Sequence, residues 1–170
     1  MPKNSSVLGG IAVGALFVTA AYADPPEVDP GDLPDFFAGT WTIRGAETTF
    51  NETCSWLSPN SYLICKGVDA NPEAPETWIR LMGYSHSENT YNLSVFAGDG
   101  GKIMMTGWLD GDVWKFVGEN KIFHRATGVD VLRRQESMTP TKDGYNLKAE
   151  VSVNGEPWRV VLEDEFIRVK

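Results

Sequence analysis

Leu147-Lys148-Ala149-Glu150-Val151-Ser152-Val153-Asn154-Gly155-Glu156-Pro157-Trp158-Arg159-Val160-Val161-Leu162 is the stretch whose reading decides the fold. Apolar Leu147, Ala149 and Val151 alternate with polar Lys148, Glu150 and Ser152, the period of two that a strand with one buried face requires. Asn154-Gly155 accepts the positive φ of a tight hairpin turn, so an antiparallel strand is expected to return after it. A two-residue turn there sets Val151 opposite Trp158, Ala149 opposite Val160 and Leu147 opposite Leu162, with Lys148 and Glu150 on the other face.

The same punctuation recurs at strand-length intervals: Ser58-Pro59-Asn60-Ser61, Asp99-Gly100-Gly101, Asp110-Gly111 and Asp143-Gly144. A turn from Ser85 to Asn89 precedes the alternating Tyr91-Leu93-Val95. A turn centred on Asp110-Gly111 places Met105 opposite Phe116 and Gly107 opposite Trp114, where a ring can cover a bare glycine. Beyond residue 23, no window of about eleven residues carries a 3.6-residue apolar period. The best helical candidate is a turn or two over Leu33 to Ala38. Nine or ten strand-like runs in adjacent hairpins predict an all-β chain, an antiparallel up-and-down barrel, because closure leaves no edge to protect.

With 170 residues, 42% of them hydrophobic, the chain is large enough to bury one core. The 15 Lys and Arg against 23 Asp and Glu give a net charge of −8, which disfavours nucleic acid and anionic membrane as partners. Residues 1–23 carry Lys3, an apolar run from Val7 to Val18 and the small-residue ending Ala21-Tyr22-Ala23. That pattern predicts a secretory signal peptide and an exported protein, periplasmic or secreted. A spanning helix wants about 20 apolar residues, and Gly9, Gly10 and Gly14 interrupt this run, so no membrane span is expected after cleavage. Lys3 is the only charged residue removed, so the acidity belongs to what remains. Residues 24–32 read as an exposed acidic leader rich in proline, with Pro25, Pro26 and Pro30, and the barrel domain is expected over 33–170.

Cys54 and Cys65 flank the Ser58-Pro59-Asn60-Ser61 turn symmetrically, which sets Trp56 opposite Leu63 and the two cysteines opposite each other. Counting outward from a bonded closing pair puts them at a non-hydrogen-bonded pair, where strands approach most closely. In an exported protein this predicts a structural disulfide rather than a redox pair, which would favour a C-x-x-C spacing.

The sequence carries few chemical motifs. Gly83-Tyr84-Ser85-His86-Ser87 lacks the second glycine of a nucleophile elbow, and His86 is expected to cap or decorate a turn. His124 could point into the barrel or out of it. Two histidines this far apart predict no metal site. Asp110 and Asp112, and the run Glu163-Asp164-Glu165, read as solvated faces. No P-loop, dinucleotide fingerprint, calcium loop or haem-attachment motif is present, so no cofactor is expected. The aromatic content is unusual, with six tryptophans. Aromatic side chains in a closed barrel either fill the core, the usual case in small barrels, or line a cavity for an apolar ligand. Candidates for a lining are Trp56, Trp78, Phe96, Trp114, Phe116 and Tyr145, with His124.

Phe36-Phe37-Ala38-Gly39-Thr40-Trp41-Thr42, Thr53-Cys54-Ser55-Trp56, Leu63-Ile64-Cys65-Lys66, Met82-Gly83-Tyr84 and Gly107-Trp108-Leu109-Asp110-Gly111-Asp112-Val113-Trp114 occur in that order. Together they resemble the bacterial domain-of-unknown-function 1579 family, from about Leu33 to the carboxyl end. The resemblance implies an exported lipocalin-like barrel with no assigned activity. Gly39-x-Trp41 is similar to the first-strand motif of lipocalins, whose tryptophan packs at the closed end beneath a basic residue of the last strand. Arg168 is the matching candidate, in a structural cation–π contact. Haem barrels of similar shape need a proximal histidine near the carboxyl end, and none follows His124.

These readings favour a non-catalytic barrel binding a small apolar or amphipathic ligand. The alternatives are a filled barrel acting as an envelope partner, or an unrecognised hydrolase or isomerase. An interior below roughly 300 Å³ would exclude a carrier. Composition and spacing leave the oligomeric state open.

Overall fold

A computed structural model describes residues 35–58, 61–124 and 128–170. The expected signal peptide and leader, Pro59 and Asn60 of the first turn, and the side chain of His124 lie outside the described residues. A 3-10 turn, Asp35–Phe37, precedes ten strands: β1 (Gly39–Ile43), β2 (Phe50–Trp56), β3 (Tyr62–Asp69), β4 (Glu76–Ser85), β5 (Thr90–Ala97), β6 (Lys102–Asp110), β7 (Val113–His124), β8 (Gly128–Pro140), β9 (Gly144–Val153) and β10 (Arg159–Arg168). Each strand pairs antiparallel with the next, and β10 pairs with β1, so the sheet closes into an up-and-down barrel. Among the described residues no helix is long and apolar enough to cross a membrane.

Alternation drives the elements. In β2, Phe50, Glu52 and Cys54 are buried while Asn51, Thr53 and Ser55 are exposed; in β9, Tyr145, Leu147, Ala149 and Val151 are buried. Turn chemistry follows, with positive φ at Gly45, Asn89, Gly100, Gly111, Asn154 and Gly155. Cys54 pairs with Cys65 and the two form a disulfide. The Leu57 N–H donates to Tyr62 O, and alternation from that bonded pair makes the cysteines a non-hydrogen-bonded pair.

Three register expectations are corrected. Val151 faces Arg159, Ala149 faces Leu162 and Leu147 faces Asp164. Pro157 has no N–H to give the ladder, so residues 154–158 form a longer loop, and a bulge between Val160 and Leu162 slips the register further. The second hairpin turns at Gly111-Asp112, because Asp110 pairs with Val113; Gly107 therefore faces Phe116, and Leu109 faces Trp114. The ring covering Gly107 is that of Phe116, which a Cβ there would strike. Gly144 is not a turn residue: it opens β9, where a Cβ would collide with the Phe166 carbonyl.

One end of the barrel is closed. Phe36 and Phe37 of the 3-10 turn plug it against Trp41, Trp114 and Tyr145, with ring centroids 5.4–6.3 Å apart. Trp41 is fully buried and donates Nε1–H to Phe37 O at 2.9 Å. The Arg168 guanidinium lies 4.5 Å above the Trp41 ring and donates to Phe36 O and Ala38 O at 2.6 and 2.7 Å. Gly39 sits beneath it at φ 138°, a conformation and a space that both exclude a side chain.

A candidate ligand cavity

Alternate connections of an up-and-down barrel share one end, so the β1–β2, β3–β4 and β5–β6 loops all lie opposite the plug. At that end the barrel opens into a cavity of about 930 Å³. Its walls are apolar side chains at inward positions, among them Phe50, Val95, Ile103, Leu147, Leu162 and Phe166. Trp78 forms part of the wall, with its indole lying on Gly67, whose missing Cβ leaves room for the ring.

Deep in the cavity a polar layer crosses the barrel. Trp78 Nε1–H donates to Glu52 Oε1 at 2.9 Å, and Arg80 Nη1 lies 3.7 Å from Glu52 Oε2. Arg134 Nε–H donates to Glu136 Oε1 at 2.7 Å. Glu52, Arg80 and Glu136 are all buried, and Arg80 and Glu136 line the cavity with Arg134. Among the described residues Glu52 Oε2, Glu136 Oε2 and Arg80 Nε have no hydrogen-bond partner. Burial works against the Arg80 charge, but Glu52, Tyr145 and Glu136 outweigh it and the pKa is raised. Burial, then Glu52, raise the Tyr145 pKa far above its ordinary value. Arg80 thus stays a cation and Tyr145 a neutral phenol across the physiological range, which suits fixed binding and is poorly matched to proton transfer.

The charged side chains that line the rim are acidic. Asp69, Glu76 and Asp99 line the rim, and Asp164 projects from β10 between Leu162 and Phe166. Burial alone raises the Asp164 pKa.

Among the described residues, Trp78 is the only one of the expected lining that borders the cavity. Trp114, Phe116 and Tyr145 are buried in the packed closed half. Phe96 is 41% exposed on the outer surface, because Val95 and not Phe96 is in phase with the inward set of β5. Trp56 ends β2 and packs partly buried against the core. The backbone of His124 pairs with Gly128 at the end of β7. His86 lies in an exposed turn with its ring 5.0 Å from that of Tyr84. The Glu163-Asp164-Glu165 run is split by strand alternation: Asp164 faces the cavity, while Glu165 binds Arg44 outside at 2.6 Å. Among the described residues the grouping of potential metal donors is Glu52 with Cys54 and Cys65, and the disulfide occupies both sulfurs.

No sequence motif singled out Glu52, Arg80, Arg134 or Glu136, and Asp164, expected on a solvated face, turns into the cavity. Their signal was phase. Phe50-x-Glu52-x-Cys54, Trp78-x-Arg80-x-Met82 and Leu162-x-Asp164-x-Phe166 each set a charge between two inward residues. No protein-family model and no curated protein matches the chain.

Proposed function

We propose that this protein is an exported, non-catalytic carrier that holds one small amphipathic molecule in the open half of its barrel. The resemblance to the domain-of-unknown-function 1579 family and the signal-like amino terminus belong to the same reading. It rests chiefly on one observation, the 930 Å³ cavity with apolar walls and a polar floor, within the range typical of ligand sites. The filled-barrel alternative presumes an interior without such a space. Apolar walls supply affinity by removing ligand surface from water, and the few charged groups at the floor orient the polar end. Native mass spectrometry of the protein purified from its own host tests this. A co-purifying small molecule released on denaturation is the expected result. Repeated recovery of empty protein that also fails to enhance the fluorescence of a neutral apolar dye refutes it.

A further inference from the structure

We propose that the cavity is selective for cationic amphiphiles, an alkyl chain carrying a protonated amine, and rejects carboxylates of the same length. This rests on the carrier reading and names its ligand class. Five carboxylates line the cavity, Asp69, Glu76, Asp99, Glu136 and Asp164, against the two guanidiniums of Arg80 and Arg134. Both guanidiniums are already engaged. Arg134 is bonded to Glu136, and Arg80 is paired with Glu52 and held among Tyr145 and Glu136. An entering carboxylate would compete with Glu136 for Arg134 and with Glu52 for Arg80, and would meet the repulsion of the remaining carboxylates.

The acceptors, by contrast, are in surplus. Glu136 is 4% exposed, lines the cavity, and has Oε2 without a hydrogen-bond partner among the described residues. Glu52 Oε2, ion-paired with Arg80 at 3.7 Å, likewise has no hydrogen-bond partner, and Asp164 makes no ion pair among the described residues. Of the fully buried atoms of this layer that lack a hydrogen-bond partner, two are carboxylate oxygens and one is a donor, Arg80 Nε. An ammonium carries three donors and no acceptor, which matches such a surplus. Phe50 packs tilted against Trp78 and edge-to-face against Phe166, at ring centroids of 5.2 and 5.3 Å, and these rings give the wall aromatic faces that attract a cation and repel an anion. At the rim, Asp69, Glu76 and Asp99 extend the same field outward, where a low-dielectric cleft focuses it on approaching ligand.

Isothermal titration calorimetry of the intact protein at neutral pH with decylamine, 1-decanol and decanoate, each below its aggregation concentration, tests the proposal. Decylamine is expected to bind at least tenfold more tightly than decanoate, with decanol between them. Glu136→Gln should shrink the amine-to-acid ratio at least threefold. Asp164→Asn, on the more exposed wall, should shrink it in the same direction and serves if Glu136→Gln does not fold. Decanoate binding as tightly as decylamine, with decanol also bound, overturns the selectivity and leaves the carrier standing. A ratio that both variants leave unchanged overturns the assignment to these carboxylates. If none of the three probes binds, the carrier reading falls and the selectivity with it.

Discussion

Replacing Trp78 by Phe tests the junction between the cavity wall and its floor. The indole N–H is the only hydrogen bond made to Glu52 Oε1 among the described residues, at 2.9 Å to a carboxylate with no solvent exposure. A hydrogen bond to a charged group contributes about 1.5–3 kcal/mol. Phenylalanine also loses the part of the ring that covers Gly67, which adds about 1 kcal/mol of apolar contact. The expected destabilisation is therefore about 3 kcal/mol, read from urea denaturation followed by far-ultraviolet circular dichroism. Loss of packing alone could mimic it, so the decisive quantity is a cycle with Glu52→Met, which removes the acceptor at similar volume. Subtracting the two single changes from the double change isolates the Trp78–Glu52 term and cancels what each substitution does to Arg80. A coupling of about 2 kcal/mol is expected. A coupling below about 0.5 kcal/mol would mean the two sites are energetically independent and that the bond does not hold the floor.

Cys54→Ser should lower stability by about 3 kcal/mol, from the loop-closure entropy of a short cross-link, and abolish the response of the urea midpoint to reductant; a wild-type midpoint already indifferent to reductant contradicts this. Gly39→Ala should cost about 1–3 kcal/mol, since it forces a methyl against the Arg168 guanidinium at a positive φ, and an unchanged thermal melt would show that the closed end tolerates repacking. For Asp164 the sign follows from its raised pKa. The folded state holds this proton more tightly than the unfolded chain, so its contribution is most favourable below the ordinary aspartate value of 3.8 and is lost as the pH rises through the folded value. Asp164→Asn should accordingly melt higher than wild type at neutral pH, with the gap closing in acid; a lower melting temperature at pH 7 would show that the carboxylate has a stabilising partner.

Hairpin content was legible because turn residues and period-two alternation are local properties of the chain. Asn89, Gly100, Gly111 and Asn154 all supply the φ their turns need. Closure into a barrel followed from the same local signals, since every strand pairs with its sequence neighbour and only β1 with β10 is distant. Register was less legible. Pro157 and the bulge near Leu162 shift β10 against β9, and counting from Asn154-Gly155 cannot see either effect. The cavity was misplaced for a different reason. Aromatic size marks burial without saying whether the residue sits in the packed half or the open half, and that depends on height along the strand. Trp78 and Trp114 are alike in sequence terms, yet one lies on the wall and the other under the plug.

The same division bears on why the floor is charged. A barrel needing only stability would gain by filling this layer with apolar side chains, because buried ion pairs seldom recover their desolvation cost against well-packed hydrophobic residues. The closed half follows that rule, with Trp41, Tyr91, Trp114, Phe116 and Tyr145 buried together. The next layer toward the mouth breaks it with Glu52, Arg80 and Glu136, and leaves three of their polar atoms without hydrogen bonds. Sites where local consistency fails are where function is expected to carry the cost. Among the described residues the buried charged side chains, Glu52, Arg80 and Glu136, coincide with the floor of the cavity. The unsatisfied acceptors are a liability in the empty barrel and become an asset once a donor arrives, which ties the stability of this layer to occupancy of the cavity above it.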